Sequence, residues 1–333
     1  MSNNCCIGIT LGDPAGIGPE IVQAALDSKT LPVSAEYRVI GKYPECEPGK
    51  PSPETARAAA AALEEAATLA LRGELAAVVT GPVHKARMYE VGFKFPGQTE
   101  FFAERCGVKN FAMLLTSGDM TVALVTAHIP LKEVSGALKQ SEIVRVGRLL
   151  ADFLQLRFHF RGDHGNLTAL SSQVSKERSD DDSVPRIAVA GLNPHAGESG
   201  KIGREEIEII APAIAELNSQ PSTLNSQRAA FSGPHPPDTL FHNLIAERWD
   251  AALCMYHDQG LIPLKLHAFH GGVNVTLGLP FPRTSPDHGT AFGIAGKGIA
   301  RPDSMIAAIT LAAELAQKSD SVSKAKGATP LKS

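Results

Sequence analysis

The chain has 333 residues, room for about two domains of ~150 residues with a sizeable apolar core in each. Hydrophobic residues make up 43% and charged residues 20%, which excludes global disorder, and a formal net charge of −3 with 5% aromatics gives no surface for polyanions or stacked bases, so nucleic acid is not an expected partner. Five scattered cysteines without a C-x-x-C pair exclude a disulfide framework, and with no basic-then-apolar leader and no run of ~18 apolar residues the expectation is a soluble cytoplasmic protein without a membrane segment.

Short β-branched runs alternate with Ala/Leu-rich periodic stretches, the pattern of a parallel α/β architecture. In chain order, a strand over 6–11 leads through a Gly/Pro turn to a helix over about 19–26. Ser52 then serves as N-cap of a long helix, with Pro53 at the first helical position and Gly73 after the last turn. Strands are expected over 75–80, 120–126, 186–191 and 251–256, and helices over 141–156 and about 304–317, with Asp303 as N-cap of the last. Two polar stretches, 161–184 and 218–228, the second within a Leu-Asn-Ser-Gln repeat, read as solvated loops.

What stands after three of these strands carries the chemistry. His128-Ile-Pro follows the strand over 120–126, Asn193-Pro-His195-Ala-Gly follows 186–191, and His257-Asp258-Gln-Gly follows 251–256. Parallel sheets bind ligands outside the carboxyl ends of their strands, where converging loops stand on rigid supports. A single histidine in such a turn is more simply a hydrogen-bonding loop residue. Three together point to a shared site, since three neutral imidazoles bind Zn²⁺, Co²⁺ or Ni²⁺ and leave a position open for substrate.

The glycine-rich turn Gly12-Asp-Pro-Ala-Gly-Ile-Gly-Pro-Glu20 departs from the dinucleotide fingerprint, because Ile21 stands where a third glycine would. Lys265, Asn274 and Arg283 follow His257 at intervals of eight, nine and nine residues, and Lys with Arg suits a phosphate or carboxylate. Beyond them, Gly289, Gly293, Gly296 and Gly298 allow a backbone to approach a flat or charged ligand closely.

Gly-Ile-Thr-Leu-Gly-Asp-Pro-Ala-Gly-Ile-Gly-Pro-Glu, Val-Thr-Gly-Pro-Val-His-Lys, Gly97-Gln-Thr-Glu-Phe, Gly-Leu-Asn-Pro-His-Ala-Gly-Glu, Pro237-Asp-Thr-Leu-Phe, Met-Tyr-His-Asp-Gln-Gly and Gly-Val-Asn-Val-Thr-Leu-Gly-Leu-Pro-Phe-Pro-Arg-Thr occur here in one order. In these the chain resembles the 4-hydroxythreonine-4-phosphate dehydrogenase family of vitamin B6 biosynthesis, from about residue 7 to 316. The segment over 288–303 is also similar to the cofactor loop of isocitrate and isopropylmalate dehydrogenases, whose fold the family shares. The resemblance implies two α/β/α domains with an active-site cleft between them, one formed by 1–124 with 273–333 on the cofactor side, the other, over 125–272, forming the metal site and the dimer. It implies NAD- or NADP-linked oxidation of 4-phosphooxy-L-threonine at one divalent metal (zinc, cobalt or magnesium), then decarboxylation to 3-amino-2-oxopropyl phosphate.

Carried over by position, the family's metal-binding histidines fall on His128, His195 and His257, and its substrate-binding Lys, Asn and Arg on Lys265, Asn274 and Arg283. Its substrate-binding His-Thr pair falls on Gln98-Thr99, a departure, since Gln carries neither a proton nor a charge at neutral pH. A homodimer is implied, with the active site at the subunit interface and one histidine, expected to be His257, coming from the partner. Asp238 and Asp258 are candidates for proton relay or for orienting a histidine, and Gly12, His288 and Gly289 for cofactor contact. Gln98 keeps a second substrate class in view, a four-carbon phosphorylated sugar acid such as threonate or erythronate 4-phosphate. A metal-dependent hydrolase is the alternative of another class, predicting activity without nicotinamide; a non-catalytic metal-binding or scaffold protein would bind none.

Overall fold

The structure, a computed structural model, describes residues 5–118, 120–158, 184–219, 229–246 and 249–325. Of the two polar stretches, 161–183 and 220–228 lie outside the described residues. The chain divides into two compact units, one within 1–109 and 273–333, the other within 110–272. The crossing expected at 124/125 therefore falls at 109/110, because two strands before His128 pair within the second unit.

The first unit opens with β1 (Cys5–Thr10), α1 (Gly18–Asp27), β2 (Ala35–Ile40), α2 (Pro53–Leu71), β3 (Ala77–Thr80), α3 (Lys85–Glu90) and α4 (Gln98–Arg105). Ser52 caps α2 as its sequence implies: its hydroxyl accepts from Thr55 N, while the Thr55 hydroxyl accepts from Ser52 N, a reciprocal box that satisfies two donors at the helix end.

The second unit holds β4 (Ala112–Ser117), β5 (Met120–Leu124), α5 (Val134–Ala137), α6 (Gln140–Phe158), β6 (Arg186–Ala190), α7 (Ala211–Ser219), β7 (Ala230–His235), α8 (Pro237–Ile245), β8 (Ala251–Cys254) and α9 (His257–His267). The chain returns to the first unit with β9 (Val273–Leu277), β10 (Arg283–Pro286) and α10 (Asp303–Ala325). No described helix is long and apolar enough to cross a membrane.

In the first unit the strand order is β2-β1-β3-β10-β9, with β1, β2, β3 and β10 parallel and β9 antiparallel to β10. In the second it is β4-β5-β8-β6-β7, with β5, β8, β6 and β7 parallel and β4 antiparallel to β5. The sheets are thus mixed rather than purely parallel, and the antiparallel partners are strands that the sequence pattern does not announce. The central strands are buried along their length, as helix-covered parallel strands must be.

The core of the first unit packs Leu63, Leu75, Val78, Met88, Phe101 and Phe102 together. Phe93, Phe95, Phe101, Phe102 and Phe281 stack edge to face with centroids 5.1–6.3 Å apart, and the Arg105 guanidinium lies over Phe95 and Phe101. Phe101 and Phe102 have no exposed surface, each contributing about 1.5–3 kcal/mol of burial that anchors α4 and fixes its first turn, where Gln98 and Thr99 stand. The core of the second unit gathers Val122, Leu124, Ala188, Leu240, Cys254, Leu261 and Leu264 around β5, β8 and β6.

Candidate active site

In the second unit β5, β8 and β6 are adjacent and parallel, so His128, His257 and His195 all follow the same carboxyl edge of one sheet. The rings of His128 and His257 lie 5.7 Å apart between centroids, tilted by 43°. Two imidazoles bound tetrahedrally to one cation at about 2.0–2.1 Å would have centroids about 5 Å apart, so the pair is close to chelating geometry. His257 Nδ1 is 2.7 Å from Asp258 Oδ1; an Nδ1–H donated to that carboxylate leaves Nε2 as the free donor atom. The resemblance leads one to expect His257 to meet the other histidines only from a partner subunit, yet it meets His128 within one chain.

His195 is not brought into this pair. Among the described residues no three His, Cys, Asp or Glu side chains form a metal-capable group. His195 sits in a left-handed turn: His195, Ala196, Gly197, Glu198 and Ser199 have φ of 52°, 50°, 79°, 44° and 58°. Four of these are not glycine, and left-handed helical backbone costs an L-residue about 1–2 kcal/mol. Contacts beyond the turn must hold such a segment in place. Lys265 is half-buried on α9, and Asp238 is exposed in the first turn of α8.

In the first unit Arg283 is 2% exposed and carries its guanidinium among neutral groups. One terminal nitrogen donates to Thr276 Oγ1 at 3.2 Å, and the other to Gln98 Oε1 at 2.8 Å and to the Thr80 hydroxyl. Its Nε is buried without a partner. Burial pulls its pKa down to about 9, and the carboxylate of Glu100 opposes this only through space. Thr99 joins the cluster by a 3.3 Å hydroxyl contact with Thr276, and Gln98 donates through Nε2 to Gly81 O at 3.1 Å. The amide of Gln98 is therefore held at both ends. Asn274 stands next to Val275 on β9, its Oδ1 buried and unpartnered. Both orphaned atoms, Arg283 Nε and Asn274 Oδ1, are groups that a bound ligand satisfies.

Of the residues expected at the cofactor, Gly12 has φ of +73°, and a Cβ there would fall 2.1 Å from Pro82 O. Packing against its own chain thus accounts for that glycine. His288 Nε2 is buried and unpartnered, and burial holds this imidazole below its usual pKa. Gly289 is exposed, with open space where a side chain would be. Thr276 and Glu206, the latter described below, have no mark in the sequence, whereas Thr80 opens the Thr-Gly-Pro-Val-His-Lys turn after a strand. The signal for Thr80 is its place at the end of a buried strand; Thr276 has none, since no local pattern tells which residues will lie against Arg283.

Comparison with known proteins supplies what one chain cannot. The family model for pyridoxal phosphate biosynthetic protein PdxA matches residues 20–312. A 4-hydroxythreonine-4-phosphate dehydrogenase of Caulobacter vibrioides is 41% identical, over 94% of this chain and 98% of that protein. A solved 4-hydroxythreonine-4-phosphate dehydrogenase from Klebsiella pneumoniae is 34% identical with a TM-score of 0.72, covering 94% of this chain and 100% of its own. A terephthalate 1,2-cis-dihydrodiol dehydrogenase from Burkholderia xenovorans is 26% identical with a TM-score of 0.62, over 94% and 98%. With a match of this extent to the family model and to full-length relatives, the chain belongs to the PdxA family of 4-hydroxythreonine-4-phosphate dehydrogenases.

Proposed function

We propose that this enzyme oxidises 4-phosphooxy-L-threonine with NAD or NADP, at a divalent cation, to a 3-oxo acid that loses CO₂ to give 3-amino-2-oxopropyl phosphate in pyridoxal phosphate biosynthesis. The observation that carries this reading is the His128–His257 pair just beyond the carboxyl ends of adjacent parallel strands, with Asp258 on the back of His257. In the oxidation the C3–H bond breaks with its electron pair passing to the nicotinamide, and the C3 hydroxyl gives up its proton. A divalent cation supplies the Lewis acidity that makes that hydroxyl acidic and holds the negative charge that follows. Zinc, cobalt and magnesium are the candidates, the imidazoles favouring the first two.

His128 and His257 hold the cation from one chain, and His195 completes the set from a second copy of the chain. The support for a homodimer is an apolar stripe on α9 and just beyond it: Ile262, Leu266 and Phe269 are 65%, 87% and 71% exposed, on the element that begins with His257. Arg283 grips the phosphate, with Lys265 adding a point charge and Thr99 and Asn274 polar contacts. Asp258 orients His257 by accepting from Nδ1, and Asp238 is the remaining candidate for moving a proton. His288 and the glycine segment after it hold the nicotinamide cofactor.

Gln98 sustains a second reading. An amide held by Arg283 and by Gly81 O forms a neutral wall, which also suits a four-carbon phosphorylated sugar acid. Feeding the purified enzyme 4-phosphooxy-L-threonine, threonate 4-phosphate and erythronate 4-phosphate separates them, with each cofactor, with and without added divalent metal. Reduction of cofactor by the first substrate alone, abolished by a chelator, is the expected result. Turnover without nicotinamide would favour a hydrolase instead.

A further inference from the structure

His195 reaches its place through backbone that local propensity opposes, and one side chain bonds the entry of that backbone and packs against its middle. We propose that Glu206 is the positioning residue for His195, an inference that rests on reading His195 as a metal ligand. Glu206 is 2% exposed. Its Oε1 accepts from Leu192 N at 2.8 Å and Asn193 N at 2.7 Å, and its Oε2 accepts from Asn193 Nδ2 at 3.0 Å. These donors immediately precede Pro194-His195, so the chain enters the left-handed turn from a fixed point.

The same carboxylate lies against the middle of the turn. A Cβ at Gly197 would fall 2.6 Å from Glu206 Oε2, so residue 197 must be glycine for the turn to rest there. Gly203, with φ of +103°, brings the returning chain so close that a Cβ would meet Asn193 Nδ2 at 2.3 Å. Among the described residues the partners of Glu206 are these N–H groups and no cation. A buried carboxylate is costly unless several donors satisfy it, and its bonds are then about twice as strong as those of a neutral amide. Glu206 also opens a π-helical turn, Glu206–Ile210, ahead of α7, a feature concentrated at functional sites. Groups that orient a metal ligand in this way are typically worth 10–100-fold in metal affinity.

The test uses full-length, metal-stripped protein titrated with Co²⁺ and followed by its visible absorption, beside thermal unfolding without metal. Glu206→Gln keeps an acceptor for Leu192 and Asn193 N–H but turns an NH₂ towards Asn193 Nδ2. It is expected to weaken Co²⁺ binding about tenfold and to unfold close to the wild type, whereas Glu206→Ala weakens binding about a hundredfold. Glu208→Gln, which removes only a surface pair with Arg204, leaves both readouts unchanged. Wild-type Co²⁺ affinity in the two Glu206 variants, with His195→Ala impaired, overturns the proposal. So does a loss of affinity that merely tracks a loss of metal-free stability, and if Glu206→Ala does not fold, Glu206→Gln decides. Wild-type binding by His195→Ala defeats the metal reading itself, and the proposal with it.

Discussion

Replacing Arg283 with methionine separates substrate recognition from folding. Of the five N–H groups of a guanidinium, three are taken by Thr276, Thr80 and Gln98, which leaves two for a ligand. Two charge-assisted hydrogen bonds at about 1.5–3 kcal/mol each give an upper range of about 3–6 kcal/mol. Water recovers part of this in the variant, so about 3 kcal/mol is expected, or roughly 150-fold in kcat/KM. The assay compares 4-phosphooxy-L-threonine with its dephosphorylated form in both proteins: the advantage of the phosphate should shrink about 150-fold in Arg283→Met. The metal-free unfolding midpoint should fall little, because removing a buried cation that has no hydrogen-bonded carboxylate also removes a desolvation cost. The pH dependence follows from the same burial. Arg283 is charged in the free enzyme below about 9, so kcat/KM for the phosphorylated substrate should decline as pH rises through that value, and this decline should vanish in the variant. For stability the sign is opposite: between pH 9 and the ordinary arginine range the unfolded chain binds the extra proton, so this group's contribution rises with pH. An Arg283→Met enzyme that distinguishes the phosphorylated substrate as well as the wild type does would refute the assignment.

Three further outcomes are expected. Asp258→Asn should weaken Co²⁺ binding about tenfold in a titration while leaving the fold intact, because the carboxylate 2.7 Å from His257 Nδ1 becomes a neutral amide, a weaker acceptor. Ser52→Ala removes one side of the capping box and should cost about 1 kcal/mol, lowering the thermal midpoint by about 2 °C without changing KM. Leu266→Glu places a charge on a side chain 87% exposed in the single chain, so it should leave that chain's stability unchanged but shift sedimentation from dimer to monomer.

The sequence shows some of this fold plainly and hides the rest for physical reasons. Ser52-Pro53 and Gly73 mark α2 because capping is a local interaction, readable from a few adjacent residues. Strands such as β3 and β8 are legible because they are buried on both faces and therefore continuously apolar. β10, Arg-Thr-Ser-Pro, is buried as well, yet three of its four side chains are polar. It is a strand through its neighbours β3 and β9, and no local pattern encodes that. α4 and α9 are similarly quiet, α9 carrying Pro263 inside it and apolar residues on its exposed as well as its buried side.

The site divides along the same line. Histidines after strands are visible because strand ends are visible, and the order β5-β8-β6, which sets them along one edge, is a property of the folded sheet alone. The partners of Arg283 come from β3, α4 and β9, distant in sequence and brought together only by packing. Glu206 was hidden for a similar reason, since one of two adjacent glutamates turns inward and its partners lie 13 and 14 residues back.

X-ray absorption at the zinc edge of the full-length protein loaded with one Zn²⁺ per chain most directly tests whether one cation gathers these side chains. Three imidazole nitrogens at about 2.0–2.1 Å are expected, falling to two in each of His128→Ala, His195→Ala and His257→Ala. A spectrum without imidazole scattering, or one unchanged by all three substitutions, would contradict it.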